Sequence, residues 1–201
     1  PKGVGKSLIA HKFATEFKSD IIQIDNFEMI NSQELILGIF QCINALQPVV
    51  IYIKKFENLW KNPKLFYFLL EKSAEEKYKR NRFFLILSTD QPKVNIPTEV
   101  IERVGNRLIL IPPFATRAKF VEFLCQKFKM RTNFSNYEVG EMNLDLAFYS
   151  NQQLYHAINN IRVRTLENAK DSEFAITYTE VKKELENVAP DWTQEYINSF
   201  Y

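Results

Sequence analysis

Hydrophobic positions fall into two rhythms along the chain, and the change between them divides it. Leu8, Ile9, Ala10, Phe13 and Ala14 recur at helical spacing and predict a helix from about Lys6 to Phe17. Asp20 to Asp25 reads as a short strand, and Asn31-Ser32-Gln33-Glu34 offers a capping side chain for a helix running to about Leu46, stopped by Pro48. Val49-Val50-Ile51-Tyr52-Ile53 is an unbroken β-branched and aromatic run, which predicts a strand covered on both faces. Pro63 to Arg80 reads as a long helix. Phe83 to Leu87 and Arg107 to Ile111 read as two more buried strands, the latter closed by Pro112-Pro113.

Beyond Pro113 no further buried strand is expected. Thr116 opens a helix with Phe120, Leu124 and Phe128 on one stripe. Leu144–Phe148, Gln152–Ala169 and Thr179–Asn187 read as further helices. Trp192, Tyr196 and Phe200, four apart, predict an aromatic stripe on a last helix. The chain therefore divides into an α/β domain over residues 1–113 and an all-α domain over 114–201. Strands alternating with helices imply a parallel sheet with helices on both faces, and such a sheet places a ligand at the carboxyl ends of its strands.

Composition adds exclusions. The 26 basic and 24 acidic side chains nearly cancel, leaving a net charge of +2, so no sequence-wide argument for binding DNA survives. The longest apolar runs are well short of a membrane span. Cys42 and Cys125 are too far apart for a disulfide framework or a zinc spacing, and both are expected as reduced core residues. The chain opens with proline inside a motif, so it is expected to be a piece of a longer protein.

That motif carries the chemistry. Gly3-Val4-Gly5-Lys6-Ser7 fits the end of G-x-x-x-x-G-K-[ST], whose first glycine would fall one residue before Pro1. The glycines let backbone N–H groups curl round phosphates. Gly3, Val4, Gly5 and the amides of Lys6, Ser7 and Leu8 are the expected cradle for ATP or ADP. Lys6 would reach the β and γ phosphates, and the Ser7 hydroxyl would be the metal ligand if Mg²⁺ is present. The following helix turns its positive end to the anion. An ordinary glycine turn is the competing reading; the helix and strands that follow at the expected spacing favour the phosphate loop.

Hydrolysis needs more: an acidic pair at the end of a buried strand, one carboxylate for the magnesium shell and one for the attacking water. Here Val49–Ile53 ends in Lys54-Lys55. Lysine donates three hydrogen bonds and accepts none, so it neither binds Mg²⁺ nor takes a proton from water at neutral pH. A cation about 4 Å from a metal repels it by about 4 kcal/mol per unit charge product at an effective dielectric near 20. Glu57 is the nearest carboxylate after the pair, although Asn58 and Trp60 suggest that the chain is already turning. The basic run Lys77–Arg82 could touch a phosphate backbone or an acidic protein surface, or be a solvated helix end, which cations favour.

With the loop, the strand end and the helical second part together, the chain resembles an AAA+ ATPase module lacking its first strand, with a helical lid from near Thr116. The resemblance matches Phe84–Pro92 to the sensor-1 strand, with Asp90 where the family keeps asparagine. It matches Arg103, within Ile101–Arg107, to the arginine finger as a relic, and Tyr149–Leu154 to sensor 2, without its arginine. The loop Phe27–Asn31 lacks the pore signature that threads polypeptide. Leu46–Ile53, Arg103–Pro112 and the tail from Trp192 to Tyr201 are similar to the IQ-motif-bearing branch of the family, found in the nexin–dynein regulatory complex of motile cilia.

The intact Gly5-Lys6-Ser7 beside Lys54-Lys55 and Asp90 predicts a catalytically silent module that holds ATP or ADP, with Mg²⁺ doubtful, and the resemblance implies a scaffold role in the ciliary or flagellar axoneme. The implied partners are other subunits of that complex, doublet-microtubule proteins, and calmodulin through IQ segments outside this chain. Two alternatives stay open: a working ATPase whose acid comes from Glu57, Asp90 or a neighbouring subunit, and a DNA-handling clamp-loader-like module, which the charge balance disfavours.

Overall fold

The computed structural model describes residues 1–25, 33–104, 109, 116–168 and 175–200. They form two compact units, one of residues 6–109 and one of residues 1–5 with 110–201. The predicted division at 113/114, the predicted strand over 107–111 and the pore-loop position 27–31 lie outside the described residues, apart from Ile109.

The first unit holds helix α1 (Lys6–Glu16), strand β1 (Asp20–Ile24), helix α2 (Gln33–Leu46), strand β2 (Val49–Ile53), a short helix α3 (Glu57–Trp60), helix α4 (Pro63–Tyr78), strand β3 (Phe83–Leu87) and helix α5 (Thr98–Val104). The three strands are parallel with β2 in the centre, and the register sets Ile24 and Leu87 on either side of Ile53. All five residues of β2 are buried, as its unbroken apolar run predicts.

Alternation along β2 sorts its neighbours. Val49, Ile51 and Ile53 join one apolar core with Ile36, Ile39, Phe40 and Ile43 of α2 and Leu65, Phe66 and Leu69 of α4. Each such burial contributes about 1.5–3 kcal/mol. Tyr52 points to the opposite face, where its hydroxyl meets Ser7 of α1 and where Phe13 and Phe17 of α1 pack on Phe84. Helices therefore cover both faces of the parallel sheet.

Helix α4 begins where Asn62 accepts a hydrogen bond from the Leu65 amide, with proline at its first position. Its basic end is tied down. The Glu76 carboxylate, nearly buried, accepts from Lys79 Nζ at 2.6 Å and Asn81 Nδ2 at 2.5 Å. The Lys79 bond comes first among the causes that hold the Glu76 carboxyl below its ordinary range.

The second unit contains α6 (Arg117–Lys127), β4 (Arg131–Thr132), α7 (Asn136–Asp145), α8 (Asn151–Asn168), β5 (Ala175–Ile176), α9 (Tyr178–Leu185) and α10 (Gln194–Asn198). Its core runs through Val121, Leu124, Met142, Leu154, Ile158 and Val181. Among the described residues no helix is long and apolar enough to cross a membrane.

Four expectations need correction. In place of the helix expected over 144–148 stands α7, which runs from Asn136 and ends at Asp145. Ser135 caps the Glu138 amide while Glu138 returns the bond to the Ser135 backbone, a reciprocal box that outweighs the weak apolar rhythm. The unit is not wholly helical, because β4 and β5 pair in parallel for two residues with Ile176 buried. Trp192 precedes the last helix instead of sharing a stripe with Tyr196 and Phe200, since the Thr193 hydroxyl caps α10 by accepting from the Tyr196 amide. Cys42 is exposed on α2, and only Cys125 is a core residue.

Candidate functional site

The chain passes between the two units at the Gly5–Lys6 peptide, inside the glycine-rich loop. In the second unit, Gly3 and Gly5 take positive φ angles of 72° and 102°, a region open to glycine at little cost. A Cβ on Gly3 would lie 2.6 Å from Ser150 Cβ, so the position also demands the absence of a side chain. The loop backbone is held by neighbours in its own unit: the Lys2 carbonyl accepts from Trp192 Nε1 at 2.9 Å, the Gly3 carbonyl from the Gln152 amide at 3.2 Å, and the Val4 carbonyl from Asn151 Nδ2 at 3.4 Å.

In the first unit, α1 starts at Lys6, directly after the glycines, with Ser7 next and Leu8 exposed. Lys6 Nζ lies 2.5 Å from Asp90 Oδ1, just past the end of β3. Lys54 Nζ lies 2.5 Å from Asp25 Oδ1. Parallel register explains the second pair, since Ile24 stands opposite Ile53 and the next residue of each strand is Asp25 and Lys54. The Asp25 carboxyl is held below its ordinary range, first by the hydrogen bond from Lys54 and then by the one from Gln23. The carboxyl ends of three adjacent strands thus carry two lysine–aspartate pairs.

A run of hydroxyls crosses the same end of the sheet. Tyr52 OH sits 3.2 Å from Ser7 Oγ and 3.1 Å from Ser88 Oγ. The sequence marks Tyr52 only as a strand residue, although alternation places it on the face that also meets position 7. Nothing in the sequence singles out Asp25, Tyr52 or Ser88 as site residues, because each acquires its role from strand register.

Lys54 and Lys55 diverge. Lys54 is half-buried and paired, whereas Lys55 is exposed with a left-handed backbone, φ 49°, and turns the chain into α3. Glu57 opens α3, and its Oε2 is buried without a hydrogen-bond partner among the described residues. Arg103 lies on α5 with its guanidinium 5.3 Å from the Tyr67 ring centre of α4, a packing contact. Arg107 lies outside the described residues.

The magnesium ion that this kind of loop ordinarily serves needs oxygen ligands, several of them carboxylate or water. The donor set does not fit it. The Ser7 hydroxyl is engaged with Tyr52, Asp25 and Asp90 each face a lysine ammonium, and Lys54 stands at the end of the central strand. Among the described residues no three His, Cys, Asp or Glu side chains gather as a metal site.

The geometry has counterparts in solved structures. An AAA domain of FIGL-1 in complex with ADP superposes with a TM-score of 0.73 at 16% identity, over 100% of this chain and 73% of that one. A structure of katanin superposes with a TM-score of 0.69 at 15% identity, over 99% of this chain and 73% of that one. At such identities the likeness shows the fold. No curated protein matches the chain. The profile of the ATPase family associated with various cellular activities matches residues 1–111, more than half of the chain. The chain belongs to that family, the AAA ATPases.

Proposed function

We propose that this chain is a nucleotide-holding AAA domain that binds ADP or ATP without hydrolysing it, and serves as a structural component of the axonemal nexin–dynein regulatory complex of motile cilia. One observation carries the first half. At the end of β2, where the family's chemistry needs a metal-binding carboxylate, Lys54 stands in an ion pair with Asp25. The loop carries Gly3, Gly5, Lys6 and Ser7, and a domain of the same fold was solved with ADP, which supports binding. Bound nucleotide then acts as a stabilising ligand, adding about 2.7 kcal/mol at a hundredfold excess over Kd. The axonemal half rests on the sequence stretches similar to the ciliary branch of the family. Partners there would be other subunits of the complex, doublet-microtubule proteins and, through segments beyond this chain, calmodulin.

A phosphate-release assay on the full chain tests the silent-enzyme reading. The expected result is ADP binding with the same Kd in Mg²⁺ and in EDTA, and no turnover above background. Turnover that vanishes in Lys6→Ala overturns it. Localising the tagged protein in ciliated cells tests the axonemal reading, which fails if the protein stays out of the axoneme.

A second reading has its own observation, the Oε2 of Glu57, buried without a hydrogen-bond partner among the described residues. A buried carboxylate oxygen without a donor costs stability, and sites that act on a ligand tolerate such a cost. In that reading Glu57 is the catalytic acid, and Glu57→Gln abolishes a turnover that the wild type shows.

A further inference from the structure

The loop carbonyls of Lys2, Gly3 and Val4 all accept hydrogen bonds from residues far along the chain, and all within one unit. None of the loop peptides is cis. In a trans planar peptide, the carbonyl of one residue and the N–H of the next point in opposite directions. Holding these three carbonyls therefore turns the N–H groups of Gly3, Val4 and Gly5 away from Trp192, Gln152 and Asn151. Those are the groups a phosphate would need.

The two side-chain donors are themselves locked by one residue. Arg117, 4% exposed, sets its guanidinium 4.7 Å from the Trp192 ring centre and donates from Nη1 to Asn151 Oδ1 at 2.8 Å. A guanidinium only donates, so Asn151 must turn its oxygen to Arg117 and its NH₂ to the Val4 carbonyl. Burial pulls the Arg117 pKa down to about 10, which still leaves the side chain charged at neutral pH. The segment 149–154 has no arginine of its own, and α6 supplies one beside it. Lys2 is gripped further, with its amide donating to Tyr196 OH at 3.0 Å and its ammonium 3.4 Å from Asp191 Oδ1. Asp191 in turn accepts from Ser150 Oγ at 2.5 Å.

We propose that Trp192 and Asn151, fixed by Arg117, are positioning residues that hold the phosphate loop open-handed before nucleotide arrives. The proposal rests on the nucleotide-holding reading for its ligand, but its geometry stands without one. The C-terminal segment 191–196 becomes a strap on the loop, so nucleotide affinity depends on residues about 190 positions away in sequence.

Two variants of the full chain test this. Trp192→Phe keeps a ring under Arg117 and removes the N–H together with the five-membered ring of a buried indole, whereas Asn151→Ala removes the amide and leaves the indole in place. Hydrogen exchange at the amides of Gly3 to Gly5 is measured without ligand, and ADP Kd by calorimetry. The expected result is loop exchange about tenfold faster and ADP binding about tenfold weaker in each variant, since a lost hydrogen bond of about 1.4 kcal/mol is a factor of ten. A merely structural role would lower Tm in both variants and leave the Kd of the folded protein unchanged. Folded variants with wild-type exchange and wild-type Kd overturn the proposal. A wild type that binds no ADP overturns the nucleotide reading instead, and loop exchange alone then decides the positioning role.

Discussion

Lys6 Nζ and Asp90 Oδ1 lie 2.5 Å apart, so the cation meant for a phosphate is held by a carboxylate of its own unit. An incoming phosphate must take Lys6 from Asp90 or accept the repulsion of that carboxylate. Asp90→Asn removes the competition. ADP should then bind about two- to fivefold more tightly, in line with about 0.5–1 kcal/mol for a partly exposed pair. Calorimetric titration of the two proteins measures this, and weaker binding in Asp90→Asn would show that Asp90 assists the ligand.

Gly3 and Gly5 should respond differently to alanine. A Cβ at Gly3 meets Ser150 Cβ at 2.6 Å and Oγ at 2.7 Å, whereas one at Gly5 meets nothing within 4 Å among the described residues. Gly5→Ala carries backbone strain alone, about 1 kcal/mol. Gly3→Ala adds overpacking, for a total of about 2–4 kcal/mol. Urea unfolding distinguishes them, and adding Ser150→Gly should recover the steric part. Equal costs at the two glycines would refute the steric account.

The two thiols separate by burial. Cys125 is fully buried, and desolvation, with the Glu122 charge second, pushes its pKa up to about 11. Cys42 is exposed on α2. At neutral pH the thiolate is the reactive form. One thiol should therefore react readily with a colorimetric disulfide reagent and the second only on unfolding. Two fast equivalents from the native protein would contradict the buried placement.

The second unit should lose support in acid. Asp145 accepts from Lys182 Nζ at 2.9 Å and Tyr178 OH at 2.6 Å, and these bonds, Lys182 first, hold its carboxyl below the ordinary 3.8. A lowered folded-state value means that the stabilisation is complete above 3.8 and fades as the pH falls through the folded value. Asp145→Asn should lower Tm at pH 7, and the gap to wild type should narrow below pH 3.8. A gap that stays constant down to pH 2 would assign the effect to packing.

Much of the first unit is legible along the chain because its signals are local. Val49–Ile53 is apolar at every position, and a central parallel strand is covered on both sides. Asn62-Pro63 announces the start of α4 within two residues. Where two local signals compete, apolar rhythm alone misleads. The capping box at Ser135 and Glu138 outweighs the apolar residues near Leu144, and the Thr193 cap leaves Trp192 outside the last helix.

The candidate site divides the same way. The Gly-Lys-Ser loop and the lysines after β2 are each a run of consecutive residues, so the order of residues is enough to specify a phosphate loop and to deny the strand end its carboxylates. Three features come from folding alone: the Asp25–Lys54 pair, the Tyr52 bridge between Ser7 and Ser88, and the grip of Trp192 on the Lys2 carbonyl. The first two follow from strand register and the face it presents. The third follows from packing that joins residues 190 positions apart, and no pattern of period two or 3.6 encodes a contact at that separation.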